Sequence, residues 1–131
     1  MLEQDKIFEE HINIISEEVN KAISSVKSII LYGGYGRNEG SWYQNSDGVY
    51  QPYNDYDILL VNGNKVEPHV LSTLKKKILK KINIKWIDLS QKSTTELKSL
   101  KPSIFNYDLK YASKVISGQK NILENIPGID A

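Results

Sequence analysis

Two aspartates one residue apart, Asp55 and Asp57, lead into the apolar run Ile58-Leu59-Leu60-Val61. On a β-strand, residues i and i+2 project from the same face, roughly 6.6 Å apart along the chain. Two carboxylates held that close repel each other unless a cation sits between them. A third acid, Asp88, stands in Trp86-Ile87-Asp88-Leu89, which reads as the late part of another apolar strand. If the two strands lie side by side, all three acids meet at one end of a sheet. Such a set suits Mg²⁺, which takes a few carboxylates together with water and substrate phosphates.

Upstream, the apolar segment Ser28 to Tyr32 runs directly into Gly33-Gly34, with Arg37 three residues further on. Glycines there let the chain bend sharply and present backbone N–H groups to an anion with no Cβ in the way. Arg37 offers a planar, permanently charged fork for phosphate oxygens. Taken together, these elements suggest a metal-bound triphosphate site. A plainer reading makes Gly-Gly an ordinary turn, Asn54-Asp55 a polar loop end and Asp57 an exposed strand residue. It leaves unexplained why an acid, disfavoured in strands, is followed at once by four apolar residues.

The elements that must carry these residues are legible as periodicities. Residues 5–26 carry Ile7, Phe8, Ile12, Ile15, Val19, Ala22, Ile23 and Val26 at spacings of three and four, which predicts an amphipathic helix. Residues 28–32 and 56–61 read as strands, the second stopped by Asn62-Gly63-Asn64. Between them, residues 35–54 form the longest irregular stretch. Val70, Leu71, Leu74, Ile78, Leu79 and Ile82 mark a second helix, and Ile84 to Leu89 a third strand. Thr94 to Leu100 reads as a short helix ending before Pro102. Ile104 to Ile116 reads as a last helix, with Phe105, Leu109, Ala112 and Ile116 at helical spacing and Gly118 as its stop. The order α-β-loop-β-α-β-α predicts a small α/β domain, a mixed sheet flanked by helices.

At 131 residues the chain is expected to fold as one domain over 1–131. The tail Asn125 to Ala131 reads as a boundary, where a longer parent protein would be divided. A formal net charge of +1 gives no reason to expect nucleic acid as the main partner. No cysteine is present, which excludes disulfides, thiolate nucleophiles and cysteine-held zinc, and is compatible with a reducing cytoplasm. The acidic start and the absence of a long apolar run argue against a secretory signal or a membrane span. A cytoplasmic protein is expected.

In this order, Gly33-Gly34-Tyr35-Gly36-Arg37-Asn38-Glu39-Gly40, then Asn54-Asp55-Tyr56-Asp57-Ile58-Leu59-Leu60-Val61, then Asp88 on a later strand resemble the nucleotidyltransferase superfamily related to DNA polymerase β. The glycine segment is especially similar to uridylyltransferases of nitrogen signalling and to small stand-alone bacterial nucleotidyltransferase domains. The resemblance covers residues 28–90 in detail. It implies a minimal nucleotidyltransferase fold and an enzyme moving a nucleoside monophosphate from an NTP, ATP among them, to a hydroxyl, phosphate or protein acceptor. It implies that Asp55, Asp57 and Asp88 hold one or two Mg²⁺ ions, Asp88 also helping to deprotonate the acceptor. Gly33, Gly34 and Arg37 would position the β- and γ-phosphates. The alternative is a non-catalytic module of the same fold, a nucleotide sensor or an antitoxin-like partner of a helical protein.

One departure from that pattern is the longer spacing between the glycines and the acids, with Trp42, Tyr43, Tyr50 and Tyr53 in the extra segment. These aromatics suit stacking on a base or acceptor and equally suit pinning a loop to the domain. Lys75, Lys76, Lys77, Lys80 and Lys81 read as a solvated helix face. His11 and His69 lack metal-ligand spacing and read as structural or surface residues. Glu39 reads as an ion-pair partner of Arg37, and Tyr107, Asp108, Lys110, Tyr111 and Lys114 as a polar face of the last helix, which in related enzymes often borders the pocket.

Overall fold

Two strands of this chain are apolar on both faces, and everything else is built against them. The computed structural model describes residues 2–82, 84, 86–101 and 103–128, and only the backbone of Ile104 and Phe105. The expectations that fell on Lys85, Pro102, the Phe105 side chain and the end of the tail lie outside the described residues. Strand β1 (Val26–Tyr32) pairs antiparallel with β4 (Tyr56–Asn62), at the centre of a four-stranded sheet. Ile29, Leu31, Ile58 and Leu60 face one core, while Ile30, Leu59 and Val61 face the other. The period of two thus splits a continuous apolar run between two buried layers, as expected for strands covered on both sides.

Helices α1 (Glu3–Ala22) and α3 (Pro68–Ile82) cover the first face through Ile15, Val19, Leu74 and Ile78. Between them Glu18, 1% exposed, takes Lys81 Nζ at 2.5 Å and Lys77 Nζ at 3.5 Å. Two lysines of the solvated face, Lys77 and Lys81, are therefore also ion-pair partners tying α3 to α1.

From β4 the chain crosses through α3 into β5 (Ile87–Ser93), which pairs parallel with β4. A parallel neighbour needs such a crossover, so the helix is what brings Asp88 back beside Asp57. The strand begins later and runs further than the predicted 84–89, and Asp88 is its second residue rather than a late one. Because β5 is the sheet edge, its Ser90-Gln91-Lys92-Ser93 half is polar and carried no apolar signal.

Helices α4 (Thr94–Lys98) and α5 (Ile104–Tyr111) and a short 3₁₀ turn (Ile122–Asn125) close the second face with Leu97, Leu109 and Ile122. Ser93 opens α4 with a capping box: its hydroxyl accepts from Glu96 N–H, and Glu96 accepts from Ser93 N–H.

Four further expectations are corrected. The first helix ends at Ala22, and Val26 belongs to β1. The last helix stops at Tyr111, and Lys114–Gly118 form β6, an antiparallel edge partner of β1. Val115 and Ile116 fit a helical period and a strand equally well, and pairing with β1 decides between them. Gly118 is not a helix stop: its φ is +90°, and a Cβ there would lie 2.1 Å from the Lys27 carbonyl oxygen. Finally, the irregular stretch contains the one-turn helix α2 (Gly33–Gly36) and a hairpin of β2 (Trp42–Gln44) and β3 (Tyr50–Pro52). Among the described residues no helix is long and apolar enough to cross a membrane.

Candidate active site

Strand register decides which acids meet. Asp57 of β4 pairs directly with Asp88 of β5, and on its other side with Tyr32 of β1. Paired residues on neighbouring strands, about 4.8 Å apart, point to the same face. Asp57 and Asp88 therefore share the face of Leu59 and Val61, at the end of the sheet where both parallel strands begin. Asp55 is exposed and lies just before β4.

These positions show in the electrostatics. Burial pushes the half-buried Asp57 carboxyl above the usual carboxylate range, and the charges of Asp88 and Asp55 push it further, against a downward pull from Arg37. Burial likewise raises the Tyr32 hydroxyl; a hydrogen bond with Ser90 opposes this, and the charges of Asp88 and Asp57 add to it. Like charge is thus concentrated around Asp57 with incomplete compensation.

The carboxylate set is all oxygen and suits a hard cation such as Mg²⁺. As the side chains stand, however, no group of three or more His, Cys, Asp or Glu among the described residues is arranged to hold a metal ion.

Between the two acids of Asp55-Tyr56-Asp57, Tyr56 points the opposite way and is fully buried. Its hydroxyl meets His11 Nδ1 at 2.7 Å, and its ring packs against Tyr35 at 5.0 Å and Phe8 at 6.1 Å. His11 is therefore a buried anchor one residue removed from both acids. Burial lowers its pKa to about 4, so it stands neutral at pH 7. The sequence signal for this foundation was the alternation acid-aromatic-acid itself, which sends Tyr56 inward whenever the acids face out.

Gly33 carries φ +71° at the start of α2. A Cβ there would lie 2.2 Å from Asp57 Oδ2, so the missing side chain is what lets the carboxylate reach the glycine turn. Gly34 and Arg37 line one cleft of ≈ 530 Å³ with Asp55 and Asp57, while Asp88 is not among its walls. Arg37 Nε donates to Glu39 at 3.1 Å, the pairing expected for Glu39, and its Nη1 donates to Asp108 of α5 at 3.3 Å. Asp108 was seen only as part of a polar helix face, because its link to Arg37 is tertiary. Lys114, assigned to the same helix, belongs to β6 and reaches Asn38 Oδ1. His69 lies on α3 among Ala22, Val70 and Thr73, away from the acids.

The hairpin is fastened from one side. Trp42 packs on Tyr35 at 5.7 Å and on Phe8 at 6.3 Å, and Tyr35 Oη donates to Ser41 O while accepting from Asn54 N–H. Tyr43 and Tyr53 stay on the outside in an edge-to-face pair 6.2 Å apart. Trp42 is thus a pin, and Tyr43 and Tyr53 remain accessible.

No protein-family model and no curated protein matches this chain. Solved structures do resemble it. A spectinomycin adenyltransferase from Enterococcus faecialis, with ATP and spectinomycin, superposes with a TM-score of 0.66 at 18% identity, over 92% of this chain and 60% of that one. A toxin–antitoxin with AMP-PNP gives 0.59 at 16% identity, over 86% and 77%. The complex of a tri-AMPylated Shewanella oneidensis HEPN toxin with MNT antitoxin gives 0.58 at 16%, over 94% and 78%. The chain has the minimal nucleotidyltransferase fold, a mixed sheet flanked by helices.

Proposed function

We propose that this fold works here as a nucleotidyltransferase, moving a nucleoside monophosphate from an NTP to a hydroxyl-bearing acceptor, with Mg²⁺ as its metal. The observation that carries this reading is the in-register pair Asp57–Asp88, with Asp55 beside it and the Asp57 carboxylate seated in the Gly33 turn.

Asp55, Asp57 and Asp88 are the residues that would hold Mg²⁺, after side-chain adjustment from the arrangement described above. When bound, the ion supplies charge neutralisation at the transferring phosphate. Gly33 and Gly34 bring backbone close to the β- and γ-phosphates, and Arg37 adds a charged fork to them. The acceptor oxygen attacks the α-phosphorus in line, its bond to the bridging oxygen breaks, and pyrophosphate leaves. The acceptor proton passes to a carboxylate, and the exposure of Asp88 on the edge strand β5 supports it in that role. Most of the work is positioning and charge compensation.

Among the fold neighbours, one is an adenyltransferase with ATP and spectinomycin and another contains a tri-AMPylated toxin, which supports AMP as the group carried and leaves both a small-molecule and a protein acceptor in play. The test uses ATP labelled at the α-phosphate, with Mg²⁺ and candidate acceptors of both kinds. Label transfer by the native chain and none by Asp57→Asn supports the enzyme. Mg²⁺-ATP binding with no transfer to any acceptor favours the binding-only module of the same fold.

A further inference from the structure

We infer that the cleft between the β2–β3 hairpin and Trp86 is a ring-stacking subsite of the transfer site, made for a planar ring and not for phosphate. The inference rests on the transfer reading above and adds to it where the ring part of a substrate goes.

Three aromatic side chains converge on this cleft: Tyr43, 37% exposed, Tyr53, 72% exposed, and Trp86, 57% exposed. Large aromatic surface left open at such density calls for an occupant, because it is costly to keep in water. The cleft has ≈ 370 Å³, in the range of small-molecule sites. Its described walls include one acid, Asp55, and no cation, whereas the neighbouring cleft contains Gly34 and Arg37 together with the acids Glu39, Asp55 and Asp57. Tyr53, Asn54 and Asp55 belong to both clefts, so the two are halves of one groove divided at Asp55. The halves differ in chemistry: one, with a cation on its acids, suits phosphate oxygens beside Arg37, and the other, walled by rings, suits a flat, uncharged or cationic ring.

The stacking wall is held in place before any ligand arrives. Trp42 and Pro52 are partners in the hairpin, and Trp42 is fixed on Tyr35 and Phe8. Tyr43 Oη donates to Gln51 Oε1 at 2.9 Å, and Tyr43 meets Tyr53 edge to face. Opposite them, Lys75 Nζ lies 4.4 Å from the Trp86 ring centre, steadying that ring. The hairpin is the segment inserted between the glycines and the acids, and this gives it a purpose beyond bridging.

A planar ring reaches this place from either of two sources, the base of the NTP or the acceptor. Calorimetric titrations of the full chain with adenosine, with tyramine, with ATP plus Mg²⁺ and with tripolyphosphate plus Mg²⁺ separate them. Tyr53→Ala and Trp86→Ala remove exposed rings and leave both cores untouched. We expect adenosine or tyramine to bind the native chain and to bind each variant about fivefold to a hundredfold more weakly, as loss of a stacking ring does. Tripolyphosphate is expected to bind all three chains equally. Loss of ATP affinity together with adenosine identifies the base as occupant, and loss confined to tyramine identifies the acceptor. The proposal is overturned if neither ring compound binds, or if the variants weaken tripolyphosphate as much as the rings. Ring binding without any tripolyphosphate binding would remove the phosphate assignment and leave this subsite standing.

Discussion

The Asp57 carboxylate occupies the space that a side chain on Gly33 would need, with 2.2 Å between Oδ2 and the Cβ position. The glycine turn and the first acid of β4 are therefore one unit, and Gly33→Ala damages both halves of it. The left-handed backbone alone costs about 1–2 kcal/mol for a non-glycine residue. Displacing Asp57 is expected to remove Mg²⁺-ATP binding as well, so the variant melts lower and shows no ligand-induced rise in Tm.

Asp57→Asn should do the opposite to stability. The native carboxyl has a raised pKa, so the folded state favours its protonated form. Its contribution to stability is lost as pH rises from the unfolded value through the folded one, and at pH 7 the charged group works against the fold. The neutral amide escapes burial of charge and repulsion by Asp88 and Asp55. Without ligand the variant is expected to melt higher than the native chain at pH 7, with the difference shrinking toward pH 4, while losing all response to Mg²⁺-ATP. A lower Tm at pH 7 would mean that Asp57 is held by a favourable partner instead.

His11 gives the chain an acid-sensitive anchor beneath the same acids. Its folded-state pKa of about 4 lies below the ordinary value of 6.5, because burial disfavours the imidazolium. The unfolded chain takes up the proton first, so stability is intact above pH 6.5 and falls as pH drops toward 4. The full loss amounts to about 3 kcal/mol. Urea unfolding of the native chain and of His11→Gln, which keeps a partner for Tyr56, should diverge across that window. Parallel curves would contradict a neutral buried His11.

Arg37 is engaged by Glu39 and Asp108, so phosphates binding there as proposed would have to compete with both. Exposed pairs of this kind are worth about 0.2–1 kcal/mol each. Asp108→Asn is accordingly expected to tighten Mg²⁺-ATP binding by about two- to fivefold, measured by calorimetry. Weaker binding would show that Asp108 positions Arg37 for its ligand.

The parts of this molecule that were readable from sequence are those where local pattern and tertiary role coincide. Ile58 to Val61 is apolar because β4 is covered on both faces, and that same burial makes the preceding acids conspicuous. Gly33 was readable because a backbone need, its positive φ, had a residue type attached to it, whereas a Cβ on Gly34 would meet only ordinary contacts. The β6 strand was not, since Val115 and Ile116 satisfy two periods and only β1 chooses between them. Nor was the polar half of β5, whose exposed edge gives no apolar alternation. His11 read as structural or surface and Asp108 as part of a polar helix face, but their partners Tyr56 and Arg37 were not legible because each lies far away in sequence.

Asp55, Asp57 and Asp88 are expected to hold a divalent cation together with a triphosphate. Electron paramagnetic titration of Mn²⁺ with α,β-methylene-ATP tests it without needing an acceptor. The native chain is expected to bind Mn²⁺ in a nucleotide-dependent way, Asp55→Asn and Asp88→Asn to weaken that binding, and Asp57→Asn to abolish it. Equal Mn²⁺ binding by the native chain and Asp57→Asn would contradict that expectation.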